Sequence, residues 1–162
     1  MEKPDQSKPK KYKVQDQEIS QLLEPLVAVS YPVIKLIELT LYQQALLSQK
    51  GLPISVLTSI SEKLKLNVPT LAGIFEMSEK TLRTRLKKEG SLKPFESDLA
   101  LSLLQLYQEG LATFENDQNF LSWMNGEWEA LNFHKPVELL YSKSGVDFLI
   151  EELKNIRYGI FS

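Results

Sequence analysis

The densest set of side chains able to do chemistry lies between Ser78 and Lys93. Lys80, Arg83, Arg85, Lys87, Lys88 and Lys93 stand there against Glu79 and Glu89, a local charge of +4. Ser78, Thr81 and Thr84 add hydroxyls. An arginine grips a guanine edge or a phosphate with two parallel N–H donors, and Lys, Ser and Thr suit phosphate oxygens. The chemistry is anion binding, with DNA as the expected anion. The candidate contacts are Ser78, Lys80, Thr81, Arg83, Thr84, Arg85, Lys87 and Lys88. A solvated basic helix on any helical protein would carry the same composition.

A second set is aromatic and lies near the C-terminus. Trp123 and Trp128 sit among Phe114, Phe120 and Phe133, and the chain closes on Arg157-Tyr158-Gly159-Ile160-Phe161-Ser162. Aromatic and Arg side chains are the usual anchors of protein interfaces, and they equally build small cores. Both readings stay open for this set.

Catalytic chemistry has little to draw on. There is one histidine, His134, in Asn-Phe-His-Lys-Pro, and there are no cysteines. That excludes a disulfide framework, a thiolate metal site, a cysteine nucleophile and a second histidine ligand. The glycines form neither a dinucleotide fingerprint nor a phosphate loop. Carboxylate pairs such as Glu151-Glu152 and Glu127/Glu129 are ordinary on solvated helices. The sequence reads as a binding protein without cofactor or metal, not as an enzyme.

Charge divides the chain. Residues 1–93 carry 15 Lys/Arg against 10 Asp/Glu, a net +5, while residues 94–162 carry 4 against 11, a net −7. A sign split of this kind suggests two kinds of partner. No apolar run reaches the ~20 residues that span a bilayer, and the start lacks the apolar stretch of a signal peptide. A cytoplasmic protein with no membrane partner is expected.

The elements that must position these sets read as helices throughout, so the expected fold class is all-α. Residues 1–17 are polar, with five lysines against three acids, and read as a flexible basic tail. Ile19, Leu22, Leu23, Leu26 and Val27 recur at helical spacing, with Pro25 and Pro32 shortening or kinking that helix. A helix over Val33–Gln49 ends at Gly51, placed as a C-cap. These two apolar helices are the expected site of homodimer formation. Ile54–Leu64 and Pro69–Glu76 follow, and Ser78 caps a helix ending near Gly90. Pro94 opens a long helix to Gly110. Asp117 is the expected N-cap of a helix closed by Asn125-Gly126. Pro136–Tyr141 is a short helix. The last helix begins at Ser144 or Gly145 and stops at Gly159.

Two short helices joined by a tight turn, over about residues 69–88, have the length of a helix-turn-helix. Ala72 is small where the helices approach, and Leu82 and Leu86 are the apolar pins. Many such motifs have Gly in the turn, where this chain has Glu76. The expected organisation is a helical domain over 18–110 and a smaller helical module over 111–162.

A family resemblance rests on particular residues. Trp123-Met124, Leu131, Lys135-Pro136, Leu139-Leu140, Gly145, Leu153 and Ile156-Arg157-Tyr158-Gly159 resemble the toxin-binding domain of Xre/MbcA/ParS-type antitoxins. Upstream, Gly51-Leu52-Pro53, the segment Ser78 to Arg85, and Leu92-Lys93-Pro94-Phe95-Glu96-Ser97-Asp98 are similar to the N-terminal helical domain of the same family. About 110 residues are covered, from Gly51 to the end. The chain departs from the pattern at Asn125-Gly126, where Pro is frequent, and at Leu99 and Leu103, where basic residues are common.

The resemblance implies an antitoxin of a type II toxin–antitoxin system. Its cognate toxin would be a NAD-consuming RES-domain protein or an ADP-ribosyltransferase, and it would repress its own operon by binding operator DNA. Trp123, Trp128, Arg157, Tyr158, Gly159, Ile160 and Phe161 become the candidate toxin contacts. The rival reading from the residues alone is a stand-alone transcriptional regulator with a C-terminal dimerisation module.

Overall fold

The computed structural model describes residues 40–160. The expected basic tail over residues 1–17, the expected helix at Ile19 to Val27, the first part of the expected helix over Val33–Gln49, and Phe161 lie outside the described residues. Within them the fold is all-α. The helices are α1 (Leu41–Lys50), α2 (Val56–Leu64), α3 (Val68–Ile74), α4 (Glu79–Lys88), α5 (Pro94–Phe114), α6 (Asp117–Asn125) and α7 (Lys143–Tyr158). Two 3-10 segments, Glu129–Leu131 and Pro136–Tyr141, lie between α6 and α7. The only extended pairing among the described residues is an isolated bridge between Pro53 and Ser91.

Local chemistry sets most helix ends. Thr40 caps α1 by accepting from Gln43 N–H, and the Gln43 side chain returns to Thr40 N–H, so α1 begins at Leu41. Asn67, Ser78, Asn116 and Ser142 cap α3, α4, α6 and α7 through side-chain oxygens. The cap of α6 is thus Asn116. Asp117 is the first helical residue and accepts from the Tyr107 hydroxyl instead. Gly159 ends α7 in the left-handed conformation at φ 67°.

Gly110 does not stop α5, which runs on to Phe114. A Cβ at Gly110 would stand 2.2 Å from the Phe120 ring. This glycine is a contact surface for α6 and not a terminator.

Helix α5 is the axis of the fold. It packs most extensively against α7, then α1, α6 and α2. Leu103, Leu104 and Leu106 of α5 are fully buried beside Leu47 of α1, Leu57 and Ile60 of α2, Phe120 of α6 and Leu149 of α7. Thr113 adds a side-chain hydrogen bond to the Leu153 carbonyl, tying α5 to α7. The buried apolar residues form one continuous cluster from Leu47 to Leu153. The sequence boundary at 110/111 falls inside α5.

Candidate functional site

Helices α3 and α4 are joined through Phe75, Glu76 and Met77. Ala72, 2 % exposed, accepts a backbone hydrogen bond from Met77, which closes the turn. Glu76 takes a left-handed φ of 51°, the conformation that glycine adopts at low cost. Leu82 is fully buried and Leu86 packs against the same core.

The face of α4 away from Leu82 carries the cations. Lys80, Arg83, Lys87 and Lys88 are exposed together with Thr81 and Thr84. Arg83 makes only an exposed 3.6 Å contact to Glu79 one turn back, a weak pair that leaves its donors accessible. Ser78 and Thr84 are partly engaged by the helix itself. The Ser78 hydroxyl caps Thr81 N–H, and the Thr84 hydroxyl donates to the Lys80 carbonyl.

Arg85 is placed differently from the other candidates. Its Nη1 and Nη2 each donate over 2.8 Å to the two carboxylate oxygens of Glu96 on α5, and Nη2 also reaches the Ser91 carbonyl at 3.3 Å. Glu96 accepts Lys93 N–H at 2.7 Å as well. The Arg85 hydrogen bonds hold the Glu96 carboxyl below its ordinary range against the opposing effect of burial. The Arg85 guanidinium is correspondingly raised.

Three segments distant in the sequence meet at this place. Leu92 N–H donates to the Leu52 carbonyl at 2.7 Å, and Leu52 N–H donates to the buried Ser97 hydroxyl at 2.9 Å. A Cβ at Gly51 would come within 2.5 Å of the Leu92 carbonyl oxygen, so the close approach requires glycine. Gly51-Leu52, Arg85 and Leu92 to Ser97 are therefore parts of one hydrogen-bonded knot. It joins the end of α1, the back of α4 and the start of α5. Spacing alone did not pair Arg85 with Glu96, because the partners sit on different helices.

The aromatic set divides into core and surface. Trp123 is buried, with its ring centroid 5.8 Å from that of Phe114 and 6.4 Å from that of Phe120. Tyr107 closes the cluster edge-on to Phe120. Burial, and then its bond to Asp117, pushes the Tyr107 hydroxyl up to about 12. Trp128 is 41 % exposed, and its indole N–H donates to the Trp123 carbonyl.

The loop beyond Trp128 turns sharply through Asn132 and Phe133, both at positive φ, and leaves Phe133 exposed. The strained aromatic at Phe133 was not among the candidate contacts. Its exposure and its backbone angle single it out. His134 is exposed and lies 3.3 Å from Glu138.

At the end of α7, Arg157 lies 3.0 Å from Glu109 of α5 as a partly buried ion pair, with its guanidinium carbon 5.0 Å from the Tyr158 ring centroid. Tyr158 and Ile160 are 68 % and 60 % exposed. Gly159 between them is exposed with open space where a Cβ would stand. Among the described residues no group of three or more His, Asp or Glu side chains could hold a metal ion, and no helix is long and apolar enough to cross a membrane. Comparison of the chain with known protein families and with curated proteins finds no match.

Proposed function

We propose that the chain is an antitoxin that holds its cognate toxin through the C-terminal module and binds its operator through the exposed face of α4. The observation that carries the reading is the end of α7. Tyr158 and Ile160 project into solvent on either side of a glycine cap, on a stretch of net charge −7. Exposed aromatic and branched side chains at a helix end contribute nothing to the chain's own core, and they are the residue types that anchor interfaces.

The proposed partner fits this charge. A toxin that acts on NAD, of the RES or ADP-ribosylating kind, must hold an anionic dinucleotide in a basic pocket, and an acidic module is steered toward such a pocket. The resemblance of Trp123 to Gly159 to a toxin-binding domain supports the same reading, and it rests on those residues alone. Arg157 has a second task in this picture. Its ion pair with Glu109 ties the last turn of α7 to α5. The protein would act in the cytoplasm, where both operator and NAD are found. The proposed homodimer forms through the apolar stretch over residues 19–49.

Co-expression tests the proposal. The full chain is expressed with a RES-domain or ADP-ribosylating toxin encoded beside it, and growth and cellular NAD are followed. The full chain should protect and co-purify with the toxin. A Tyr158→Ala/Ile160→Ser double variant changes only exposed side chains, so it should stay folded and lose most protection. A full chain that neither protects nor co-purifies ends the antitoxin reading. A double variant that protects fully moves the contact away from the end of α7.

A further inference from the structure

By residue type Arg85 belongs with the cations of α4, yet its guanidinium turns away from them. It sits three residues after the fully buried Leu82, on the inward shoulder of the helix. Both of its terminal nitrogens are engaged by Glu96, whose side chain is 4 % exposed, and one of them by Ser91 as well. A fork-to-fork pair of this kind fixes direction as well as distance. The remaining cations, Lys80, Arg83, Lys87 and Lys88, have no such partner on α5 and stay exposed.

The geometry points to Arg85 and Glu96 as a clasp that sets the angle at which α4 presents its cationic face, so that Arg85 is a positioning residue and not a contact to nucleic acid. The inference rests on the reading that this face meets DNA. Its consequence is unusual in sign. Glu96 is an anion close to the proposed site for an anion. On charge alone its removal would strengthen DNA binding, by relieving repulsion. As half of a clasp its removal weakens binding, because α4 loses its fixed orientation against α5.

The test uses the full-length chain and a labelled DNA duplex of mixed sequence, titrated over a range of salt concentrations. Arg83→Ala and Lys87→Ala should each weaken binding and flatten the salt dependence, by about 0.9 in log–log slope for every phosphate that the removed cation neutralised. Arg85→Lys keeps the charge but cannot form the fork. It and Glu96→Gln should each weaken binding roughly three- to tenfold with the slope unchanged, a loss of the size of one ordinary net hydrogen bond. The two combined should be no worse than either alone, since both break the same bond.

Circular dichroism of each variant separates loss of orientation from loss of fold. Tighter binding by Glu96→Gln, or full binding by Arg85→Lys with a flattened slope in Arg85→Ala, would overturn the clasp and make Arg85 a contact. Unfolding of both conservative variants would also overturn it, making the pair a stabiliser of the whole fold. A wild-type chain that does not bind the duplex at all defeats the DNA reading itself and the clasp with it.

Discussion

Glu96 is a charged side chain almost wholly withdrawn from water, and that is tolerable only because each oxygen is occupied. Arg85 supplies two N–H groups and the Lys93 backbone a third. An unpaired carboxylate there would cost several kcal/mol, on the order of the effective desolvation penalty of a buried ion. The pairing makes the residue a reporter of acid stability. Its carboxyl titrates below the ordinary 4.5 in the folded chain. A depressed folded value means that the stabilisation is fully present above the unfolded value and is lost as pH falls through the folded one. Urea titrations at falling pH should show a steeper acid limb for wild type than for Glu96→Gln, which has no proton to take up. Parallel acid limbs would remove the pair from the stability of the fold. Arg85 was legible in the sequence as a cation and not as a clasp. Its partner is eleven residues away on another helix, and no periodicity within α4 encodes that distance. Glu76 is the reverse case. The sequence shows a residue other than glycine in the turn, and the backbone meets the turn's demand with a left-handed glutamate. The cost is roughly 1–2 kcal/mol for such a conformation.

At the scale of elements the sequence was most readable where a helix end is decided by its own neighbours. Ser78, Pro94, Asn125-Gly126 and the glycines at 51 and 159 mark ends that the structure has, because capping is a bond within four or five residues. It was least readable where tertiary packing overrides a local signal. Gly110 looks like a stop and is instead a flat place on α5 for the Phe120 ring. Two effects of opposite sign meet there, and their magnitudes decide. An alanine in the middle of a helix is favoured over glycine by about 0.8–1 kcal/mol. A methyl group 2.2 Å from a buried ring cannot be accommodated without moving α6, which overpacked cores show to cost about 1–3 kcal/mol. Gly110→Ala should therefore lower stability by roughly 1 kcal/mol net, seen as a reduced urea midpoint with unchanged helix content. A stabilised variant would mean that Phe120 has a free alternative position. Gly145 is constrained in the same way, since its Cβ would meet the Leu139 carbonyl oxygen at 2.1 Å. The sequence placed it at a helix opening without that reason.

For the whole molecule the question is whether the basic and acidic parts are two bodies or one. Charge divides the chain at residue 93/94, and the domain boundary expected from the sequence falls at 110/111. Packing ignores both. Helix α5 begins in the hydrogen-bonded knot with α4 and ends under α7, and Leu103, Leu104 and Leu106 along it are buried within the one continuous core. A Cβ at Gly73 of α3 would stand 3.0 Å from the Tyr141 ring of the second 3-10 segment, so the C-terminal part also rests on α3. Separating the parts would bare a stripe of leucines, and each fully exposed leucine costs about 1.5–3 kcal/mol. For the three leucines that is about 4.5–9 kcal/mol, as large as the roughly 2.5–7.5 kcal/mol of net stability that a helical module of some fifty residues retains at about 0.05–0.15 kcal/mol per residue. The chain should therefore unfold in a single transition. Both tryptophans, Trp123 and Trp128, lie after residue 110 and report on the C-terminal part, while far-UV dichroism reports on all helices. Urea midpoints from the two probes should coincide. A tryptophan transition preceding the loss of helix would mean that the proposed toxin-holding part can loosen while the α4 face stays in place. Coincidence would mean that the C-terminal part and the α4 face belong to one cooperative unit.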